Sequence, residues 1–450
     1  MESFDVIVIG AGSGLTISAG ASRQGLKVAV VEEGPMGGTC LNRGCIPSKM
    51  IIHSADVVET VQRAHLFGIR AKVLGIDFKK VTQRASKLVD ADAREIEAGI
   101  RSDKHTTLFK SRGTFIGPRT LQVGKKVIQG EKVVIAAGAR PSIPPIKGLE
   151  DVDYLTSKEA LRLTKRPKVL TIVGGGYIAA ELAHFYDKMG TKVQIVQRNV
   201  RLVPDEDEEI AAQFTKLFAK RCTVLLAHIV AKVSQRGKRI LVVAQEKNGT
   251  KTQALSSDAL LIATGVQPNS DLLNLEATGV KTSEQGFIKV NEYMETTAKN
   301  IWALGDIVGI YLFKHSANLE AQIVYRNMFG QKEKVDYTAM PHAIFSSPQI
   351  AGVGWTEQAL KEKNIPYRVK RYEYINTGMG KALEEETGFV KVLLEPGTRK
   401  ILGCHILGTD ASTLIHEVLV TMKMGGTAES LARTVHIHPA LSEVVQRAFL

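Results

Sequence analysis

The chain has 450 residues and a net charge of +13, its 59 Lys and Arg spread along the length rather than gathered into a basic block interleaved with aromatics. This argues against a nucleic-acid groove and for a surface that steers anionic cofactors or partners. The length exceeds what one hydrophobic core supports and calls for roughly two to four domains. No apolar run reaches the ~18 residues of a membrane span, the start DVIVIGAG has neither a basic leader nor a small-residue cleavage site, and four cysteines are too few for a secreted scaffold, so a soluble protein of the reducing cytosol is expected.

Residues 5–33, DVIVIGAGSGLTISAGASRQGLKVAVVEE, predict a βαβ unit. Gly10, Gly12 and Gly14 follow an apolar strand, a small-residue helix comes next, and a second apolar strand ends at Glu32. Such glycines let backbone N–H groups approach a pyrophosphate at the helix N-terminus, and the acid about 20 residues on holds a ribose hydroxyl. Leu15 takes the third fingerprint position, where Gly usually allows close strand–helix packing, and Gly14 partly compensates. Then comes GGTCLNRGCIPSK, residues 37–49, which holds Cys40 and Cys45 with four residues between them. Metal ligands, a structural staple and a redox pair are all open at this point.

Further along, VVIAAGARP (133–141) reads as a buried strand, small residues and Pro, and LLIATGVQP (260–268) repeats it. Residues 168–198, KVLTIVGGGYIAAELAHFYDKMGTKVQIVQR, form a second βαβ pattern with Gly174 and Gly176 in the first two fingerprint positions and Ala179 in the third. Here the strand ends in Gln197 and Arg198 instead of an acid. An acid favours NAD; Arg198 either pairs with the 2′-phosphate of NADP or is a solvated surface residue. Two dinucleotide units point to electron transfer between a flavin and a nicotinamide. The acidic run Asp205 to Glu209 precedes IAAQFTKLFAKR and reads as the start of an amphipathic helix, acid at one end and base at the other to suit the macrodipole. In NIWALGDIVG (300–309), Asp306 stands just past a strand and a glycine, where it either bonds a polyol chain or closes a turn. From Asp336 onward, strand and helix patterns suit an α+β domain.

Taken together, GAGSG, GGTCLNRGCIPSK, GGGYIAAE, ATG, ALGD and the terminal HIHPALSE, in that order, resemble the pyridine nucleotide–disulfide oxidoreductases over essentially the whole chain. The resemblance implies an α/β fold of two Rossmann-like dinucleotide-binding domains plus a C-terminal α+β dimerisation domain. It divides the chain into an FAD domain (1–145 and 257–335), an NAD(P) domain (146–256) and an interface domain (336–450). Its cofactors are FAD and NAD, with NADP as the alternative. The cofactor-binding positions are Gly10, Gly12, Gly14, Glu32, Gly38, Thr39, Lys49, Gly113, Gly138, Asp306, Gly174, Gly176, Tyr177, Gln197, Arg198 and Gly265.

The cysteine readings then sort. Cys222 and Cys404 stand alone in apolar contexts and complete no metal site, so no metal is expected. A disulfide closing so short a loop removes little unfolded-chain entropy. A redox pair remains, and the helix N-terminus predicted around Pro47 favours a thiolate. By resemblance, Cys45 faces the flavin and Cys40 exchanges with the substrate disulfide. Lys49 lies beside the flavin with Glu181 as its partner, and Tyr177 is an aromatic gate over the nicotinamide pocket. His438, oriented by Glu443, takes the proton from Cys40, with His436 the weaker candidate. Arg43, where the family commonly has Val, either stabilises a thiolate, meets an anionic substrate group or is simply exposed.

Within the family, the Ser of CIPSK and the overall pattern lean toward a dihydrolipoamide dehydrogenase activity on a protein-bound or free lipoyl group, in a homodimer and as a possible component of a 2-oxoacid dehydrogenase complex. The alternative is an NADPH-dependent reductase of a low-molecular-weight disulfide of the glutathione or mycothione type. Ending in RAFL without a vicinal cysteine pair argues against mercuric reduction. Intact Cys40, Cys45, His438 and Glu443 argue against a flavin subunit kept only for assembly.

Overall fold

The computed structural model describes all residues 1–450. No helix is long and apolar enough to cross a membrane. The chain forms two compact units, one of residues 1–48, 82–142 and 265–337, the other of residues 49–81, 143–264 and 338–450.

The first unit is built on a seven-stranded sheet. Glu2–Ile9 lies at its centre, parallel to Val28–Val31 on one side and Lys126–Ile135 on the other. Thr106–Phe109 extends it beyond Val28–Val31, and Ile301–Ala303 pairs with Val133–Ile135. Residues such as Val6, Ile7, Val8, Val28, Val30, Val133 and Val134 are fully buried. Continuous apolar strands of this kind belong in a parallel sheet covered on both faces. The two repeats noted above meet physically: Ala139–Pro141 pairs antiparallel with Val266–Pro268.

The second unit holds a four-stranded parallel sheet, in the order Thr223–Leu225, Lys192–Val196, Val169–Val173, Ala259–Ile262. Beside it in the chain is an antiparallel meander of His228–Arg236, Arg239–Glu246 and Thr252–Ser257. Its C-terminal part is a five-stranded antiparallel sheet, Pro341–Ile344, Gln349–Gly354, Ile401–Gly408, Phe389–Leu394, Arg368–Glu373. Helices Ala411–Lys423 and Ser442–Phe449 bury Ile415, Val418, Val444, Val445 and Phe449 against that sheet. This is the α/β plus α+β architecture expected from the sequence.

The acidic run does start a helix, Glu208–Phe218, with the Asp207 side chain accepting the Glu209 N–H at 3.1 Å. It does more than suit a macrodipole, because Glu206 and Asp207 are buried. Lys391, only 1 % exposed, donates to Asp207 at 2.8 Å and to Glu357 at 2.6 Å. Burial opposes the charge on Lys391, but the two carboxylates outweigh it and hold the ammonium above its ordinary range. Replacing the cation strands buried Asp207 and half-buried Glu357, so Lys391→Met is expected to cost about 3–5 kcal/mol, read as a lowered denaturation midpoint of the FAD-loaded protein. A midpoint unchanged from wild type would show that Asp207 and Glu357 find other partners.

Candidate active site

The thiol segment is held by backbone approach. Gly37 and Gly38 have positive φ (+91 and +65), and the Gly37 N–H donates to Ala11 O at 2.8 Å. A Cβ on Gly38 would stand 2.8 Å from the Gly12 Cα. Only glycine lets the two loops touch, so the fold seats the thiols on the first dinucleotide loop. Buried Asn42 pins the turn by donating to Met36 O at 2.7 Å and Gly38 O at 2.9 Å. Cys40 lies in the short helix Gly38–Arg43, which ends at Arg43, and Cys45 is the first residue of helix Cys45–Arg63. Cys45 is exposed and Cys40 half-buried, as thiols. The Cys40 thiol is pushed well up, first by its hydrogen bond to Cys45 and then by burial, with Lys314 pulling the other way. Cys40 thus holds its proton as the donor toward Cys45.

Around this lie the other residues of the first nucleotide loop. Gly14 is buried so tightly that a Cβ would meet Val8 at 2.7 Å, which is the close strand–helix packing missing at Leu15. Glu32 accepts the Ala11 N–H at 2.9 Å and the Gly34 N–H at 2.7 Å, so its carboxylate stands at the strand end over the loop. Lys314, which opens helix Lys314–Met328, donates to Ser13 Oγ at 2.7 Å. Sequence reading passed over Lys314 and Asn42, since nothing in their local pattern distinguishes them from ordinary helix residues. Asp306 is half-buried, its carboxyl raised by burial and partly restored by Lys314. A Cβ on Gly138 would meet nothing within 4 Å, and one on Gly12 only Gly38. Open glycines, an acid at the strand end and a second acid past the last strand fit a bound FAD. Thr39 is exposed beside this loop, and Gly113 packs against Val31 and Leu121, leaving only its backbone to a ligand.

The second loop repeats the device. Gly174 has φ +109 and its Cβ would run into Ala263 O, as Gly10 (φ +102) would into Ala136 O. Gly176 and Gly265 face open space. Tyr177 begins helix Tyr177–Lys188 and donates its hydroxyl to Glu206. One turn on, Glu181 accepts Lys49 Nζ at 2.8 and 2.9 Å and the Phe345 N–H at 3.1 Å. At the strand end, Gln197 is buried and donates to Arg201 O at 3.2 Å, while Arg198 is exposed.

The C-terminal histidines differ in kind. His438 is 76 % exposed, with Nδ1 3.0 Å from Glu443 Oε1. Hydrogen bonds from His438 and from the Ala440 N–H hold the Glu443 carboxyl below its usual range. Nδ1–H therefore donates to a carboxylate, leaving the Nε2 lone pair free to take a proton. In His436, Nδ1 faces Thr434 O at 2.9 Å and Nε2 faces Glu417 at 2.8 Å. Both nitrogens of His436 are occupied by these partners, so it presents no free nitrogen to a substrate.

Residues 4–324 match the pyridine nucleotide-disulphide oxidoreductase family and residues 340–449 match its dimerisation domain. Mycothione reductase of Mycobacterium tuberculosis is 36% identical, covering 100% of this chain and 99% of its own. Dihydrolipoyl dehydrogenase of Geobacillus stearothermophilus is 33% identical, covering 99% and 95%. Among solved structures, the HOCl-induced flavoprotein disulfide reductase RclA from Escherichia coli superposes with a TM-score of 0.88 at 28% identity, covering 99% of each chain. With both nucleotide loops, the thiol pair and the dimerisation domain in place, the chain belongs to the FAD-dependent pyridine nucleotide-disulphide oxidoreductases.

Proposed function

We propose that this protein reduces a low-molecular-weight disulfide at the Cys40–Cys45 pair, using NADPH at least as readily as NADH. The seating of the thiol loop on the first nucleotide loop, Gly38 against Gly12, carries the disulfide chemistry, and the 36% identity to a mycothione reductase favours a low-molecular-weight substrate. The domain division follows the family: flavin segments 1–145 and 257–335, nicotinamide segment 146–256, interface segment 336–450. In the exchange, His438 takes the Cys40 proton and the resulting thiolate attacks one sulfur of the substrate disulfide. That S–S bond breaks, a Cys40–substrate bond forms, and the departing thiolate takes a proton from His438. Cys45 then attacks Cys40, releasing the second thiol and closing the Cys40–Cys45 disulfide. FAD held over Gly10, Gly12, Glu32 and Asp306 would supply the two-electron redox chemistry that links a pyridine nucleotide to that disulfide and returns the pair to the dithiol. Lys49, paired with Glu181, lies on the flavin side of this exchange, and Arg43 meets an anionic group of the substrate.

The coenzyme reading rests on the second strand end. Gln197 turns inward to Arg201, so no acid repels a 2′-phosphate, and exposed Arg198 attracts one. Discrimination between NADPH and NADH in kcat/KM is expected to stay below about 1000-fold, or ~4 kcal/mol, and Arg198→Glu shifts the ratio toward NADH. A wild-type preference for NADH, or a preference for NADPH beyond that limit, would overturn the assignment. Oxidation of a dihydrolipoyl group by NAD is the second reading. The 33% identity to a dihydrolipoyl dehydrogenase favours it, and it would make the protein a partner of a 2-oxoacid dehydrogenase complex. Stopped-flow reduction by each coenzyme, followed by reoxidation with lipoamide, glutathione disulfide or mycothiol disulfide, separates the two. Fast turnover with lipoamide and NAD alone would select the second.

A further inference from the structure

Glu206 reads in the sequence as one acid in a charge run, yet it is 1 % exposed. A buried carboxylate requires donors. It receives the Tyr177 hydroxyl and His342 Nε2, the latter at 2.9 Å. Burial pushes the Glu206 carboxyl up, but His342, Tyr177 and His405 outweigh it and hold it below the ordinary range. It is therefore an acceptor only, and Nε2 of His342 carries the proton. Burial and the Glu206 charge push the Tyr177 phenol up, so it remains a donor. Both bonds are charge-assisted, the stronger class.

The three residues come from distant places: the start of the helix after Gly174–Gly176, the loop before helix Glu208–Phe218, and strand Pro341–Ile344. His342 packs over Gly352, where a Cβ would stand 2.5 Å from its Nε2 and 2.9 Å from His405 Nδ1, so only glycine at 352 admits the ring. Just past the same strand, the Phe345 N–H holds Glu181, which shares a helix face with Tyr177. Tyr177 thus has its ring fixed at the mouth of an open glycine loop by a carboxylate that is itself braced from behind.

We infer that Glu206 is a positioning residue for pyridine-nucleotide binding: braced by His342, it fixes the Tyr177 ring against the second dinucleotide loop. This deepens the proposed function and rests on its assignment of that loop to the nicotinamide nucleotide. Without Glu206 the ring samples other rotamers, and the ordering that Glu206 supplies in advance must come out of the binding free energy.

The test uses FAD-loaded protein carrying Glu206→Leu, Tyr177→Phe, both together, and Glu206→Gln, which still accepts from the phenol. Flavin reduction by NADPH and by NADH is followed in single turnovers across nucleotide concentrations, and thiol alkylation of the Cys40–Cys45 pair is followed separately. Glu206→Leu and Tyr177→Phe are each expected to raise the apparent Kd for the nucleotide about tenfold, the effect of one lost charge-assisted hydrogen bond. The double variant should be no worse than either single one, Glu206→Gln should retain most of the affinity, and thiol alkylation should not change. Effects that multiply in the double variant, tighter nucleotide binding, or wild-type affinity throughout would each overturn the inference. If Glu206→Leu fails to hold FAD, Tyr177→Phe combined with His342→Ala takes its place under the same criteria. Wild-type flavin reduced by neither nucleotide would instead sink the functional reading, and the inference with it; wild-type flavin reduced normally with silent variants would sink the inference alone.

Discussion

Cys40→Ser is expected to keep its FAD and lose disulfide turnover by more than about a thousandfold, the scale seen when a nucleophile is removed. The two sulfurs are not equivalent. Cys45 starts helix Cys45–Arg63, where the N-terminal dipole favours a thiolate. Cys40 is the thiol whose proton is retained by the hydrogen bond to Cys45 and by burial. The serine variant therefore retains the thiolate of Cys45, and the purified protein should show the long-wavelength absorbance of a thiolate against oxidised flavin. Cys45→Ser should lose that band along with turnover. Full disulfide turnover in Cys40→Ser, or the band in Cys45→Ser instead, would reverse the roles.

His438→Ala should lower turnover by about 10²–10⁴-fold, the contribution of a positioned acid–base group, while flavin reduction by the pyridine nucleotide stays fast. The imidazole is well placed to exchange protons, with Glu443 fixing Nδ1–H and Nε2 facing outward. Its neighbours Val435 and Ile437 are 94 % and 79 % exposed. Apolar residues so bare, in a segment that matches a dimerisation domain, are to be covered by a second chain. We expect His438 of one chain to serve the Cys40–Cys45 pair of the other, with two-fold symmetry building two such sites. Cys45→Ser and His438→Ala chains, unfolded and refolded together, test this. In a mixed dimer one site receives both defects and the other neither. Random pairing makes half the dimers mixed, so roughly a quarter of wild-type activity should return. A site confined to one chain returns none, because every chain carries a defect.

What the sequence determined by itself was mostly local. Gly10 and Gly174 mark tight turns because a side chain there would strike the backbone of Ala136 or Ala263, a constraint visible as a glycine at a set distance from an apolar strand. His438 and Glu443 lie five residues apart, close enough for the motif to hold both members of the pair. The buried strands announced themselves by unbroken Val and Ile. Lys49 with Glu181, 132 residues apart, was reached only through family resemblance. Other contacts had no signature at all. Lys314 meets Ser13 across 301 residues, His342 meets Glu206 across 136, and Lys391 meets Asp207 across 184. Asp205 to Glu209 has the same letters whether it is solvated or buried. Local pattern reports a residue's neighbours along the chain, whereas desolvation, and with it the strength of every charge-assisted bond, depends on which distant surfaces the fold closes over that residue. Only the tertiary structure could decide that Glu206 is dry and Arg198 is not.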